Sequence, residues 1–331
     1  MAEIRGKTAT RESASLPASS SPEEKQEPAP PKVSVLIVSH NNISALRRCL
    51  QALEGSKNRA EFEILVVDNG SADECPQIDS EFPAVTVLRL PRYFGATKAM
   101  NIGTRTAAGE YIFFLDAETE VTAETVAALA ALLDADNDVV AACPLLIDTQ
   151  GAPVPFLHRL PTAASMRRAW RGNGELDPVT VNLDAETVEV EYAGRAALMT
   201  RKQFVKGMHY FDEHYGEYWA DAELSYQAWR NQKKTLLLPG LRVTHYPVPG
   251  IDDYPPAART ILSADCASGA ATFIRKHEGF FAGTIFRLTL IFSALGMALA
   301  SLAGFRDAGF YWSRFFAVAT FQKIDGFQTA L

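Results

Sequence analysis

The sequence has few cysteines, and they form no recognisable metal or redox motif. Four cysteines are scattered along the 331 residues, with no C-x-x-C pair and no cysteine–histidine cluster at zinc spacing. This spacing argues against a conventional zinc site or a vicinal dithiol. We expect the reduced thiols of a cytosolic protein, with Cys143 packed in the core.

Positive charge is also scarce. The 39 acidic residues outnumber the 32 lysines and arginines, so the formal net charge is −7 at pH 7. Proteins that bind nucleic acid without regard to sequence need a basic surface, and we therefore exclude a nucleic-acid partner. The N-terminus lacks the charged start, apolar stretch and small-residue cleavage site of a secretory signal, so we expect no export.

A glycine-rich phosphate loop is missing as well. The residues after the first apolar run, Ser39 to Asn42, contain no glycine. Dinucleotide oxidoreductases carry G-x-G-x-x-G at this point, and sugar nucleotidyltransferases a glycine-rich loop. The absence argues against both classes of enzyme.

Composition divides the chain into three predicted parts. Residues 1–31 are rich in Ser, Pro, Glu, Ala and Lys and have almost no large apolar side chain, which predicts a disordered tail. Residues 32–250 alternate between apolar runs and helical patterns, and residues 251–331 read as a helical segment.

The alternation predicts an α/β domain, a Rossmann-like, mostly parallel sheet with helices on both faces. Strands are predicted at 33–38, 62–67, 85–88, 111–115, 139–142, 235–238 and 242–245. Helices are predicted at 44–54, 96–107, 122–134 (with Thr122 as N-cap) and 221–232. Residues 148–189 show no clear period and predict an inserted region beside the site.

Polar residues follow three of the predicted strands at the point where each strand ends. They occupy 39–42, 68–71 and 116–119. Each group alone also fits turn or helix-cap chemistry. Because ligands of open α/β sheets bind beyond the carboxyl ends of the strands, the three groups together predict a nucleotide-sized pocket.

Asp116 and Glu118 form an acidic pair at the end of a buried strand. Two carboxylates one residue apart suit a hard divalent cation such as Mg²⁺ or Mn²⁺, which binds oxygen ligands and bridges diphosphates. Such a cation would stabilise a departing nucleoside diphosphate.

The order of these motifs resembles the family 2 glycosyltransferases, most closely the bacterial rhamnosyltransferase-like members. The resemblance extends from about Val33 to His245. The matching segments are 33–42, 66–71, 101–103, 109–119, Gly194, 211–213, 221–224 and 243–245.

The resemblance implies a GT-A fold and inversion at the anomeric carbon. It implies that Asp68 hydrogen-bonds a pyrimidine base and that the loop containing Ser39 and Asn41 lines the base pocket. Asp116 would lie at the ribose and the metal. Glu118 would bind the metal where the family usually has Asp, and His245 would complete the metal or diphosphate site; by itself, a histidine at a strand end is more often structural.

Direct displacement needs a carboxylate base on the face opposite the leaving group, and Asp221 is the candidate. Its segment resembles the family's Glu-Asp-x-Asp-Leu element, with Ala220 and Glu223 replacing the flanking acids. Glu217 is one helical turn earlier and could replace the missing acid. The alternative is an exposed acidic helix face.

The acceptor side is assigned by the same resemblance. Gly194 and Arg195 fall where the family brings its backbone close to donor and acceptor, and we group Glu217 and Glu223 with them; an ordinary turn at Gly194 is the alternative. Asn231 stands where processive synthases carry Trp, which favours a single addition.

The C-terminal segment contains an uncharged stretch, 288–305, followed by aromatic residues and cations. The pattern predicts a peripheral or re-entrant membrane helix pair. A buried hairpin or a homo-oligomer interface is the alternative.

The functional expectation is a sugar transfer by an enzyme at the inner face of the plasma membrane. The donor would be a dTDP- or UDP-linked sugar, with dTDP-L-rhamnose as the first candidate. The acceptor would be a glycan or a lipid-linked sugar. The alternatives are a sugar nucleotidyltransferase and a non-catalytic relative that binds glycan or nucleotide.

Overall fold

Apolar runs that are buried on both faces build the centre of the molecule. The computed structural model describes residues 30–171, 176, 178–305 and 307–324. The chain divides between Pro30 and Pro31, and the part from Pro31 onward forms one compact unit. Residues 1–29 of the predicted disordered tail lie outside the described residues.

The strands of the described residues are β1 Val33–Ser39, β2 Phe62–Asp68, β3 Val85–Arg89, β4 Tyr111–Asp116, β5 Thr119–Glu120, β6 Val139–Ile147, β7 Leu157–His158, β8 Val188–Glu189, β9 Tyr192–Ala193, β10 Ala197–Arg201 and β11 Lys234–His245. The α-helices of the same residues are α1 Ile43–Glu54, α2 Ala96–Thr106, α3 Thr125–Ala135, α4 Ala163–Arg171, α5 Lys202–Gly207, α6 Ala220–Arg230, α7 Pro256–His277, α8 Phe280–Ala300 and α9 Ala308–Thr320.

Nine of the described strands form one sheet in the order β3-β2-β1-β4-β10-β6-β11-β5, with β8 paired to β11. Strands β3, β2, β1 and β4 are parallel neighbours, and β10 is antiparallel to both β4 and β6. Since β11 is parallel to β6, six of these nine strands run in one direction, and β10, β5 and β8 run in the other. The predicted α/β class is confirmed, and the five predicted strands before residue 147 are all present.

Two local predictions were wrong. Helix α3 begins at Thr125 and not at 122, because Thr122 forms a turn in which its N–H donates to the Thr125 hydroxyl (2.9 Å) and its carbonyl accepts from the Thr125 N–H (3.1 Å). The two strands predicted at 235–238 and 242–245 are one strand, β11. Its pairing with β6 shifts register between Leu238 and Arg242. The Pro-Gly pair inside this interval is typical of a strand end, which is why two strands were predicted.

The segment 148–189 also contains regular structure, the helix α4. Its buried residues Met166 and Ala169 face the C-terminal helices, and Met166 belongs to a second apolar core formed with α6, α7, α8 and α9. Alanines dominate this core on α7, which lets the helices pack closely. The C-terminal helices therefore lie in the same compact unit as the sheet.

Helix α8 is long and apolar enough to cross a membrane, by length and composition only. The segment Phe280–Gly304 has a mean hydropathy of 1.9, and only 28% of its apolar window is buried inside the protein. Its outer face carries large exposed side chains, among them Phe281, Phe292 and Leu302.

Candidate active site

The register of the parallel strands aligns the polar strand ends. Ser39 pairs with Asp68 across β1 and β2, and Val38 pairs with Asp116 across β1 and β4. The carboxyl ends of these three strands therefore form one rim.

The loops after β1 and β2 are tied to each other. The Ser39 hydroxyl donates to Asn42 Oδ1 at 2.5 Å, and the Asp68 carboxylate accepts from the Ser71 N–H at 3.1 Å. Asn41 has a left-handed backbone (φ 51°), and its N–H donates to the Ser71 hydroxyl at 3.0 Å. Burial raises the pKa of the Asp68 carboxyl against the hydrogen bonds from Ser71.

An aromatic pair extends this pocket. The rings of His40 and Tyr93 lie 4.5 Å apart, and His40 Nδ1 is 3.0 Å from the carbonyl oxygen of Asn69. Burial lowers the pKa of His40 below its ordinary value. Sequence reasoning missed Tyr93, although its place just after β3 is the signal that identified the other strand ends.

Arg195 joins the acidic residues of the rim. Its Nε lies 3.8 Å from Asp116 Oδ1, and its Nη2 donates to Glu217 Oε1 at 3.1 Å. Its backbone N–H donates to Asp221 Oδ2 at 3.2 Å. Burial lowers the pKa of the guanidinium, but the three carboxylates outweigh it and hold this pKa above its ordinary value. Arg195 is thus a permanent positive charge that connects Asp116 to Asp221.

Glu217 is held from several sides. Besides Arg195, its carboxylate accepts from the Tyr93 hydroxyl and from the Ala96 N–H (2.9 Å) at the start of α2. An anionic group is favoured at this helix N-terminus. Glu217 was predicted among the acceptor residues, and in the structure its carboxylate contacts Arg195, which also lies near Asp116.

Asp265 supports Glu217 from behind. Its carboxylate accepts from the Glu217 N–H at 2.8 Å, and burial raises its pKa to about 7. A Cβ at Gly216 (φ +66°) would lie 2.1 Å from Asp265 Oδ1, so the turn requires glycine. Sequence reasoning missed Asp265, although it is the sole acidic residue of the long apolar helix α7.

Asp221 lies in the first turn of α6. The preceding turn contains Trp219 with a left-handed backbone (φ 76°), unusual for a bulky residue, and Trp219 Nε1 is anchored to the Cys266 carbonyl at 3.0 Å. Burial, reinforced by the nearby Asp221 carboxylate, raises the pKa of the Tyr192 hydroxyl well above its ordinary value. A Cβ at Gly194 would lie 4.0 Å from Asp221 Oδ2, so Gly194 borders the same space.

Three side chains were predicted as metal ligands, and the structure does not gather them into a ligand group. Glu118 accepts from Asn42 Nδ2 at 3.0 Å, and His245 Nδ1 is 3.1 Å from the Thr119 hydroxyl. Within the described ranges, no group of three or more His, Cys, Asp or Glu could hold a metal ion. Asp116 and Glu118 supply oxygen donors of the kind that Mg²⁺ and Mn²⁺ use when substrate phosphates complete the coordination.

Glu223 is not brought to the site. Its side chain is 1% exposed and contacts Lys276 at 2.8 Å, His277 at 2.6 Å and the Tyr215 hydroxyl at 2.5 Å. Burial alone would raise the pKa of Glu223, but these hydrogen bonds outweigh it and lower the pKa to about 2. The carboxylate links α6 to the end of α7 and does not face an acceptor.

A cavity of about 1160 Å³ opens at Asp221 and Arg195. It continues between α4 and the C-terminal helices, where Phe286, Leu290 and Phe310 line it. The site therefore has a polar end at the sheet and an apolar extension away from it.

The fold resembles that of a known protein, and a family model matches less than half of the chain. The fold is of the GT-A type, as in the crystal structure of GalNAc-T7 with UDP, GalNAc and Mn²⁺ (TM-score 0.58, 20% identity, 74% of this chain and 48% of that one). Residues 34–181 match the family model described as "Glycosyl transferase family 2". The match supports a family 2 glycosyltransferase domain.

Two curated relatives indicate the range of similar proteins. The chain is 25% identical to a hyaluronan synthase of Pasteurella multocida over 240 residues, which are 66% of this chain and 25% of the relative. It is 28% identical to the poly(ribitol-phosphate) beta-N-acetylglucosaminyltransferase TarS of Staphylococcus aureus over 125 residues, 36% of this chain and 21% of the relative. The chain thus spans about a quarter of the length of these relatives.

Proposed function

We propose that the chain is an inverting glycosyltransferase that moves a sugar from a nucleoside diphosphate to an acceptor hydroxyl, with Asp221 as general base. The observation that carries the proposal is the position of Arg195. One guanidinium contacts Asp116 on the nucleotide side, while the adjoining backbone N–H holds the Asp221 carboxylate at the mouth of the cavity. The donor would bind on the Asp116 side of Arg195 and the acceptor on the Asp221 side.

The donor would bind along the rim of the sheet. Asp68 would accept a hydrogen bond from the pyrimidine base, with Ser39 and Asn41 lining the base pocket, and Asp116 would lie at the ribose. Burial of Asp68 supports this role because a buried acceptor gains more from a base N–H than an exposed one does.

The charges of the site support a divalent cation. Arg195 contacts Asp116 and Glu217, and Glu118 and Asp221 add two further carboxylates to the same group of residues, so a diphosphate bound there would meet an excess of negative charge. Asp116 and Glu118 would hold Mg²⁺ or Mn²⁺, which would neutralise the diphosphate. Hydrogen-bonded to Thr119, His245 would orient the end of β11 next to Glu118.

The transfer itself is a single displacement. The acceptor oxygen forms a bond to the anomeric carbon as the bond from that carbon to the diphosphate oxygen breaks, and the acceptor proton passes to Asp221. The Arg195 N–H would orient the Asp221 carboxylate toward the acceptor. Gly194 leaves room beside it.

L-Rhamnose from dTDP-L-rhamnose remains the proposed sugar, supported by the motif resemblance. The named activities of the relatives make UDP-linked hexosamines the competing donors. The acceptor would be a glycan or a lipid-linked sugar, and the exposed apolar face of α8 supports a site of action at the cytoplasmic membrane surface.

A donor screen tests the proposed function. Purified protein is heated with dTDP-L-rhamnose, UDP-GlcNAc, UDP-glucose or ADP-ribose, each with Mg²⁺, with Mn²⁺ and with EDTA. We expect one dTDP or UDP sugar at about 100 times its Kd to raise Tm by about 4 °C with metal, and much less with EDTA. If no dTDP or UDP sugar raises Tm, the proposed function is refuted. If a sugar raises Tm equally with metal and with EDTA, only the role of the metal is refuted.

Asp68→Asn is expected to weaken UDP binding about tenfold. The substitution keeps the shape of the side chain but removes the charge from a hydrogen bond that contributes about 1.5 kcal/mol. Isothermal titration with UDP measures the change. Asp79→Asn, the same replacement at an exposed ion pair with Arg89, is the matched control. Equal affinities of the two variants would exclude Asp68 from the base pocket.

A further inference from the structure

We propose that the cavity behind Asp221 holds the apolar chain and phosphate of a lipid-linked acceptor that enters from a membrane surface contacted by α8. The proposal rests on the proposed function, because it assigns the acceptor of the same transfer. It narrows that acceptor to one chemical class, a sugar joined to a long apolar chain through a phosphate.

The size and lining of the cavity fit such a ligand. At about 1160 Å³ it exceeds the roughly 300–1000 Å³ of ordinary small-molecule sites, so an acceptor sugar alone would leave most of it empty. Asp221 and Arg195 lie at one end, where a sugar hydroxyl would react. Phe286, Leu290 and Phe310 line the other part and provide apolar surface for a hydrocarbon chain.

Two arginines lie in the cavity wall, and one of them, Arg259, would bind a phosphate. The Arg259 guanidinium lies 3.7 Å from the centre of the Phe310 ring, and that of Arg314 lies 4.2 Å from the Trp170 ring. Arg259 Nε is buried and, among the described residues, has no hydrogen-bond partner. Leaving a buried charged donor unsatisfied is costly, and an anionic oxygen would satisfy it.

Asp307, the acidic residue nearest to Phe310 in the chain, also lines the cavity. Its carboxylate caps α9 by accepting from the Phe310 N–H at 3.2 Å. This hydrogen bond fixes the Asp307 carboxylate in the helix cap, and Arg259 provides the cationic group for a phosphate.

Helix α8 separates this cavity from the exterior. Phe286 and Leu290 on its inner side line the cavity, while Phe281, 81% exposed, and Phe292, 65% exposed, point outward. A helix with its side chains is only about 10 Å across. A lipid in a membrane touching the outer face is thus close to the cavity, and the apolar cavity wall on the inner side of the same helix favours a membrane over a second copy of the chain.

The probe for the cavity is farnesyl phosphate, with inorganic phosphate as the headgroup without a chain. Binding is measured by isothermal titration on the full chain with UDP present at saturation, so that the donor site is occupied. We expect farnesyl phosphate to bind at least tenfold more tightly than inorganic phosphate, and Arg259→Gln to weaken it at least tenfold. UDP affinity of that variant should stay within twofold, which also shows that it folds.

Vesicle flotation tests the membrane part. Vesicles of phosphatidylcholine and phosphatidylglycerol should retain the protein, and Phe281→Ser with Phe292→Ser should reduce the bound fraction at least fivefold. Trp229→Ser, at an exposed ring on α6, is the matched control and should change nothing. The membrane contact would be overturned if the double variant bound vesicles as well as the wild type does. It would also be overturned if sedimentation showed a dimer that the double variant dissociates.

The two proposals fail in different ways. If farnesyl phosphate binds no better than inorganic phosphate, or binds equally well to Arg259→Gln, the proposed class of acceptor is refuted. The proposal of nucleotide-sugar binding is unaffected by that result. Tight farnesyl phosphate binding without any nucleotide-sugar binding refutes the transferase proposal and leaves the lipid site.

Discussion

Replacing Asp221 with asparagine is expected to lower the turnover of sugar transfer about 10³-fold, since a positioned general base contributes about 10²- to 10⁴-fold. The amide oxygen can still accept the Arg195 N–H, so the geometry of the first turn of α6 should persist. The nucleotide would contact the opposite side of Arg195. UDP affinity should therefore stay within about twofold, and the loss should appear in kcat and not in the donor KM.

Asp138→Asn is the control for this experiment. Asp138 precedes β6, at the amino end of the sheet, where its exposed carboxylate pairs with Lys233. Both variants lose one carboxylate, but only one of them changes the site. Turnover of Asp221→Asn equal to that of Asp138→Asn, with the donor found in the screen, would remove Asp221 from the mechanism.

The second large effect is on stability. Glu223→Gln is expected to lower the free energy of unfolding at pH 7 by about 3 kcal/mol and Tm by about 5 °C. The substitution removes the charge that Lys276 and His277 contact inside the protein. The same estimate follows from the fall of the Glu223 pKa from 4.5 to about 2.

The pH dependence gives the sign of this contribution. Because the pKa of Glu223 is lower in the folded chain than in the unfolded chain, its stabilisation is present above pH 4.5 and is lost as the pH falls toward 2. The difference in unfolding free energy between wild type and Glu223→Gln, measured with urea, should therefore shrink over that interval. Glu213→Gln, at a half-exposed carboxylate, is the control. An equal loss in both variants, or a gap that does not change with pH, would contradict the assignment.

Much of the fold could be predicted from local patterns. The apolar runs that became β1, β2, β4 and β6 are buried on both faces, which is the pattern of parallel strands covered by helices. The pocket rim was predictable for the same reason, since parallel neighbours bring Asp68 and Asp116 to one edge whatever the loops do. The prediction for the start of α3 was wrong because of a Thr–Thr turn, and the prediction of two strands in place of β11 was wrong because of a register shift.

By itself, then, the sequence determined the α/β class, the polar rim and the family resemblance, because these depend on periodicity and on residues close together in the chain. The tertiary structure decided the rest. It turned Glu223 toward Lys276 and Glu217 toward Arg195, although both acids flank Asp221. It also placed Asp265 behind Glu217 and opened the cavity toward α8. These contacts join residues from about 20 to more than 100 positions apart, and the packing of whole helices against the sheet, which no local pattern encodes, brings them together.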